Sequence, residues 1–245
     1  MKRKLFLASS LSAALAGCSA IGTKLNDNAR FHDLLGAAEP LDRALIGTHG
    51  LAREYPASAI SSTFPLDSLP MPMDAYYMHV VNGGYRPFSL RVEGAVERPI
   101  TLSYAALLRL TPQSQITRHD CVEGWSAIAQ WSGPRLSDVL ALARPLAGAR
   151  YVVFHCMDRD DQGAPYYESL DLRQAFHPQT LLAAGMNGKP ISPEHGGPLR
   201  LKIPTQLGYK SAKWVRRIEV VESFAHVGGK GGYWEDQGYE WYAGI

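Results

Sequence analysis

In Arg118-His119-Asp120-Cys121-Val122-Glu123-Gly124-Trp125-Ser126, one thiol stands among charged side chains. A cysteine is chemically useful as the thiolate, either as a nucleophile or as a soft metal ligand. Arg118 and His119 would stabilise that thiolate, and Asp120 and Glu123 would oppose it. As a nucleophile, Cys121 would need one of the eight histidines as its base. His119 is too near in sequence for the usual pairing, and no known nucleophile signature surrounds the cysteine. Both uses stay open on residue types alone.

Cys121-Val122-Glu123-Gly124-Trp125-Ser126 resembles the molybdenum-binding cysteine segment of the sulfite-oxidase-fold oxidoreductases. It is most similar to the branch holding the periplasmic protein-methionine-sulfoxide reductase catalytic subunits. A second block agrees: His195-Gly196-Gly197-Pro198-Leu199-Arg200 through Pro204, then Gly208-Tyr209-Lys210-Ser211-Ala212-Lys213-Trp214. The resemblance runs from about residue 74 to 221.

It implies a molybdenum–molybdopterin cofactor, with Cys121 as the one protein thiolate on the metal and the catalytic residue. The cofactor carries the redox chemistry, while the protein supplies orientation and charge. It also implies a pterin phosphate, which needs backbone N–H groups and cations. The loop 205–213 offers Lys210, Ser211, Ala212 and Lys213, with Arg200 upstream. A solvated strand face is the alternative for Arg200 and Lys202. His195 stands where relatives have Asn and can still donate one hydrogen bond. Spacing puts Tyr77, Met78 and His79 near the cofactor, with a half-buried core strand as the alternative; His79 replaces an Arg of the sulfite oxidases. Cys156 aligns with a cofactor contact, against the readings of a buried core cysteine or of a disulfide to Cys121.

Relatives that oxidise sulfite carry Asn-Arg soon after their cysteine. Here Glu123 would repel a dianion, which favours a neutral sulfoxide, on a small molecule or a protein, over sulfite. The sequence has no Cys-x-x-Cys-His, so electrons are expected from a separate donor, a membrane cytochrome being one candidate. The chain lacks room for the immunoglobulin-like dimerisation domain of the sulfite oxidases, so a monomer is expected. The competing functions are a cysteine-dependent hydrolase or transferase and a non-catalytic lipoprotein binding module.

The elements that must position these residues belong to a chain of 245 residues, 46% hydrophobic, with a formal charge of +2. That near-balance gives no bulk attraction to nucleic acid. Residues 1–18 read as a lipoprotein signal peptide: Lys2, Arg3 and Lys4 precede an apolar run over 5–16 and the lipobox-like Leu15-Ala16-Gly17-Cys18. The run is shorter than the ~20 residues that span a bilayer. Arg3-Lys4-Leu5-Phe6-Leu7 also resembles a twin-arginine export signal with one Lys, against a plain basic leader. The expected location is the periplasmic side of a bacterial membrane, anchored by lipid on Cys18.

Residues 19–72 read as an extended lead-in with a short helix at 37–45, and 73–245 as the cofactor domain. Strands are expected at 75–81, 88–94, 116–120, 151–156, 167–170, 180–186, 199–203 and 214–221. Helices are expected at 104–110, capped by Ser103, at 136–142 and at 172–176. Without strict βαβ alternation the class is α+β, a single sulfite-oxidase-like domain with mixed or antiparallel sheets. The glycine-rich, then aromatic, tail 228–242 is expected to pack back over the domain; ordinary surface packing is favoured over a rim around the site.

Overall fold

The computed structural model describes residues 50–66 and 69–245. The signal peptide, Cys18 and the helix expected at 37–45 lie outside the described residues.

The main sheet has five strands in the order β2-β1-β11-β5-β6: β1 (Ser89–Gly94), β2 (Ile100–Ser103), β5 (Tyr151–Arg159), β6 (Pro165–Asp171) and β11 (Val215–Val221). Only β1 and β11 run parallel; the other pairs are antiparallel. A second, antiparallel sheet runs β3-β4-β8-β9, from β3 (Gln113–Asp120), β4 (Ser126–Gly133), β8 (Gly185–Met186) and β9 (Lys189–Pro190). A two-stranded ladder joins β7 (Leu181–Ala183) to β10 (Arg200–Lys202). This is the mixed α+β architecture expected above.

Helices sit where caps and apolar spacing put them. In α3 (Leu136–Ala143), Leu136, Val139, Leu140 and Ala143 are all buried. Their i, i+3, i+4, i+7 spacing makes one face, laid on the main sheet's core. Ser103 caps α2 (Tyr104–Arg109) by accepting from the Ala106 N–H at 3.2 Å. Asp171 does the same for α4 (Leu172–Ala175), accepting from Gln174.

Three sequence expectations change. Residues 75–81 form a helix, α1 (Ala75–Asn82), rather than a strand. Asp74 accepts from the Tyr77 N–H at 3.0 Å, and the N-cap outweighs the local β-propensity of Tyr and Val. Tyr77 and Val80, three apart, form its buried face. The strand expected over 180–186 breaks at Ala184 into β7 and β8, which belong to different sheets. Asn187 and Gly188 both take positive φ there, +50° and +76°, as a two-residue hairpin turn requires. Strand β4 was not expected at all, although Ala127, Ala129, Trp131 and Gly133 alternate inward along it.

The lead-in joins the second sheet. Glu54 bridges to Thr117, and the Ser61 N–H donates to the Ile128 carbonyl at 3.0 Å.

Candidate active site

Strands β3 and β4 form a hairpin, and Cys121 stands at its head. The Cys121 N–H donates to the Trp125 carbonyl at 2.9 Å, and the Gly124 N–H donates to the Cys121 carbonyl at 3.1 Å. Gly124 takes φ +88°, which a side chain would resist, so the sharp turn after the cysteine rests on this glycine. The turn presents Cys121, half-buried and free of any disulfide, to a cleft. Val122 and Glu123 line the same wall. The Trp125 indole donates to the Glu123 carboxylate at 3.0 Å and holds it in place.

The facing wall is the segment after β10. Gly208, Tyr209, Ser211, Ala212 and Lys213 line the cleft, so three of the loop's four expected cofactor residues, Ser211, Ala212 and Lys213, meet Cys121 in one space. A Cβ on Gly208 would come within 2.4 Å of His119 Nε2, so only glycine lets this loop close on the cysteine hairpin. Below it, Arg200 and Lys202 are almost wholly buried on β10, both over the Trp131 ring, at 5.4 and 5.6 Å. The solvated-face alternative for these two cations is therefore wrong. Lys202 Nζ donates to the Arg118 carbonyl at 3.3 Å, tying β10 to the strand that delivers Cys121. Arg200 Nη1 donates to the His195 carbonyl at 3.1 Å. His195 is held by Ser192 Oγ at 2.9 Å and by the Phe64 carbonyl at 3.1 Å. Phe64 itself packs among the rings of His119, Trp125, Trp131 and His195.

Other expected contacts stand apart from the cleft. The Tyr77 hydroxyl donates to the Gly197 carbonyl at 2.8 Å, bracing the turn that precedes Arg200. Met78 is half-buried and His79 exposed on α1, and neither lines the cleft. Cys156 lies on β5 opposite Val215 and lines two other cavities. Burial pushes its thiol well above the usual range, with Asp158 and Glu168 adding to the effect. The Lys210 ammonium is held by Glu168 and Glu235, all three side chains being buried.

Asp158, Tyr166, Trp234, Tyr239 and Leu69 also line the cleft, and motif reasoning did not reach them. Asp158 and Tyr166 come from β5 and β6, strands that carry no motif. Trp234 and Tyr239 come from the aromatic tail, which does rim the site.

The donor set suits a molybdopterin. A soft thiol opens on the cleft with Lys213 in its lining, and Arg200 and Lys202, outside that lining, are buried cations on β10. Buried cations in such number fit an anionic group better than open solvent. Comparison with known proteins decides the matter: the pattern of the oxidoreductase molybdopterin-binding domain matches residues 77–226. The chain belongs to that family. It is a molybdenum-dependent oxidoreductase of the sulfite-oxidase fold, and molybdopterin is its cofactor.

The putative protein-methionine-sulfoxide reductase subunit YedZ1 of Azospira oryzae is 35% identical over 99% of this chain and 87% of its own length. The protein-methionine-sulfoxide reductase catalytic subunit MsrP of Xanthomonas campestris is 39% identical, over 56% of this chain and 45% of its own. Among solved structures, the sulfane dehydrogenase SoxCD of Paracoccus pantotrophus superposes with a TM-score of 0.50. It is 23% identical, over 59% of this oxidoreductase and 42% of that chain, a likeness of fold.

Proposed function

We propose that this oxidoreductase reduces a sulfoxide, methionine sulfoxide in a protein above all. The observation that carries the reading is the lining of the Cys121 cleft: aromatic rings with Glu123 and Asp158 among its charged groups. Carboxylates there would repel sulfite, a dianion, while a neutral S-oxide meets no such barrier. The names of the Azospira and Xanthomonas relatives point the same way.

Cys121 would hold the metal, and Arg200, Lys213, Ser211 and His195 the pterin and its phosphate. When bound, the cofactor supplies two-electron oxygen-atom transfer: the sulfoxide oxygen leaves as water, taking two protons and two electrons. The chain's part is to orient, exclude water and keep its own groups in one charge state. Burial raises the Tyr166 phenol well above its usual range, so it stays a neutral donor at the cleft wall, its hydroxyl donating to the Tyr209 carbonyl at 2.7 Å. Electrons would come from a separate membrane donor.

Purified, molybdenum-loaded protein with an artificial reductant should convert methionine sulfoxide to methionine and leave sulfite unoxidised. Sulfite turnover without sulfoxide turnover would overturn the reading.

Arg200→Ala tests the division of labour. A charge-assisted bond to a phosphate is worth ~1.5–3 kcal/mol, roughly ten- to hundredfold in affinity. Molybdenum per protein should fall by that order while turnover per bound molybdenum stays close to normal. Full occupancy with collapsed turnover per metal would place Arg200 in the chemistry instead.

The same proposal includes export to the periplasmic side of a membrane, lipid on Cys18 and a monomeric state. The support for export and lipidation is Leu15-Ala16-Gly17-Cys18 behind a basic, apolar leader. Among the described residues no helix is long and apolar enough to cross a membrane. Cys18→Ser should leave the protein unprocessed or release it from the membrane fraction; unchanged fractionation would exclude lipidation at this site.

A further inference from the structure

The tail builds one wall of the cleft, and that wall has a form of its own. Trp234, in α5 (Tyr233–Asp236), stacks on Tyr239 with ring centroids 5.3 Å apart and planes at 26°. Tyr209 closes on Tyr239 edge-on, at 5.3 Å and 82°. All three rings line the cleft that holds Cys121. Tyr239 remains 40% exposed, so the rings run from the cleft to the protein surface.

The wall is held rigidly. Glu235, the residue after Trp234, is paired with buried Lys210. The Tyr239 N–H donates to the Trp234 carbonyl at 3.0 Å. The Tyr209 hydroxyl donates to the Glu240 carbonyl at 2.6 Å. Beyond the rings, the Leu207 N–H donates to the Ala243 carbonyl at 2.8 Å, and the Ile245 N–H to the Thr205 carbonyl at 3.1 Å. Rings fixed this well present their faces at low entropic expense to a ligand.

We infer that Trp234 and Tyr239 form a platform that receives the side-chain methylenes and flanking peptide of a peptide-bound methionine sulfoxide, the parts that dimethyl sulfoxide lacks, and thereby set the preference for that substrate. This rests on the sulfoxide-reductase reading above. Methylene groups and flat peptide units pack well against aromatic rings. Free methionine sulfoxide would bring an ammonium and a carboxylate into a cleft whose lining carries the charges of Glu123, Asp158 and Lys213. A peptide carries neither charge at that residue, and the exposed edge at Tyr239 leaves room for its chain. Trp234 and Tyr239 are specificity residues in this assignment.

The test compares two substrates, N-acetyl-methionine-sulfoxide methylamide and dimethyl sulfoxide, on the molybdenum-loaded enzyme. Trp234→Ala and Tyr239→Ala should each raise KM for the amide about tenfold, the order expected from losing the apolar area that its methylenes and peptide units bury on the rings. The kcat for the amide, the kinetics with dimethyl sulfoxide and the molybdenum content should change little. Trp234→Phe and Tyr239→Phe should retain most of the wild-type KM. An unchanged KM, or an equal decline on both substrates, overturns the inference. So does a loss of molybdenum, which would make the wall part of the cofactor site. Should the wild-type enzyme reduce neither compound, the sulfoxide-reductase reading itself fails. The platform is then judged by calorimetric binding of the amide to the oxidised enzyme, and equal binding by wild type and Trp234→Ala overturns it.

Discussion

Cys121→Ser should reduce turnover to the level of cofactor-free protein, the largest functional effect of any single substitution in this chain. The thiol is the soft donor at the cleft, and serine offers a harder oxygen in its place. The hairpin should survive, because its turn is held by backbone bonds from Cys121 to Gly124 and Trp125 that serine can also make. The pterin should still bind through the cations of the facing wall. X-ray absorption should count one fewer sulfur neighbour on molybdenum, with near-normal metal content. Cys156→Ser should keep the wild-type count and much of the activity, since Cys156 lies outside the Cys121 cleft. An unchanged count in the first variant, or a lost sulfur in the second, would move the ligand assignment.

Lys210→Met should cause the largest loss of stability. Lys210, Glu168 and Glu235 are buried together, and removing the ammonium leaves two carboxyl groups without their countercharge. Breaking a buried pair this way costs about 3–5 kcal/mol, or a melting temperature lower by roughly 10 °C in a domain of this size. Glu168→Gln and Glu235→Gln added to Lys210→Met should recover much of it, because an amide needs no countercharge. A melting temperature within ~2 °C of wild type for the single variant would show the triad to be energetically idle. Two carboxyls on one ammonium also carry a pH signature. Burial pushes the Glu168 carboxyl well above its usual range, against the pull of Lys210. The folded state then keeps a proton that the unfolded chain has already released. The contribution of Glu168 is therefore full in acid and declines as pH rises through its raised value. In the Lys210→Met variant, without the ammonium's downward pull on Glu168, that decline should extend to higher pH, which thermal melts across pH would show.

Much of the site could be read from residues in order. The cysteine segment and the block 195–214 carry local signals, and the structure sets Cys121 in one cleft with Ser211, Ala212 and Lys213. Two placements were not readable. Lys210 lies one residue from Ser211, yet its ammonium joins Glu168 and Glu235, partners 42 and 25 residues away. Periodicity along the loop carries no trace of a pairing made by tertiary packing. The segment 75–81 read as a strand because Tyr and Val favour strands, and a single capping bond from Asp74 reversed that. Strand β4 alternates as strands do, but its inward positions are filled by small Ala and Gly as well as Trp131, so its hydrophobic pattern is faint. Asp158 and Tyr166 reach the cleft through sheet register alone, which one chain read end to end does not display.

The tail's place in the cleft has a consequence for the order in which the protein is made. Residues 233–245 follow every strand in sequence, yet they complete the wall opposite a cysteine translated far earlier. While the chain is emerging from the ribosome, the Cys121 hairpin and the loop 205–213 can form with that side still open. Synthesis at ~5–20 residues per second leaves this interval at seconds. The half-built cleft offers its widest entrance then, and it narrows when Ala243 and Ile245 dock on Leu207 and Thr205.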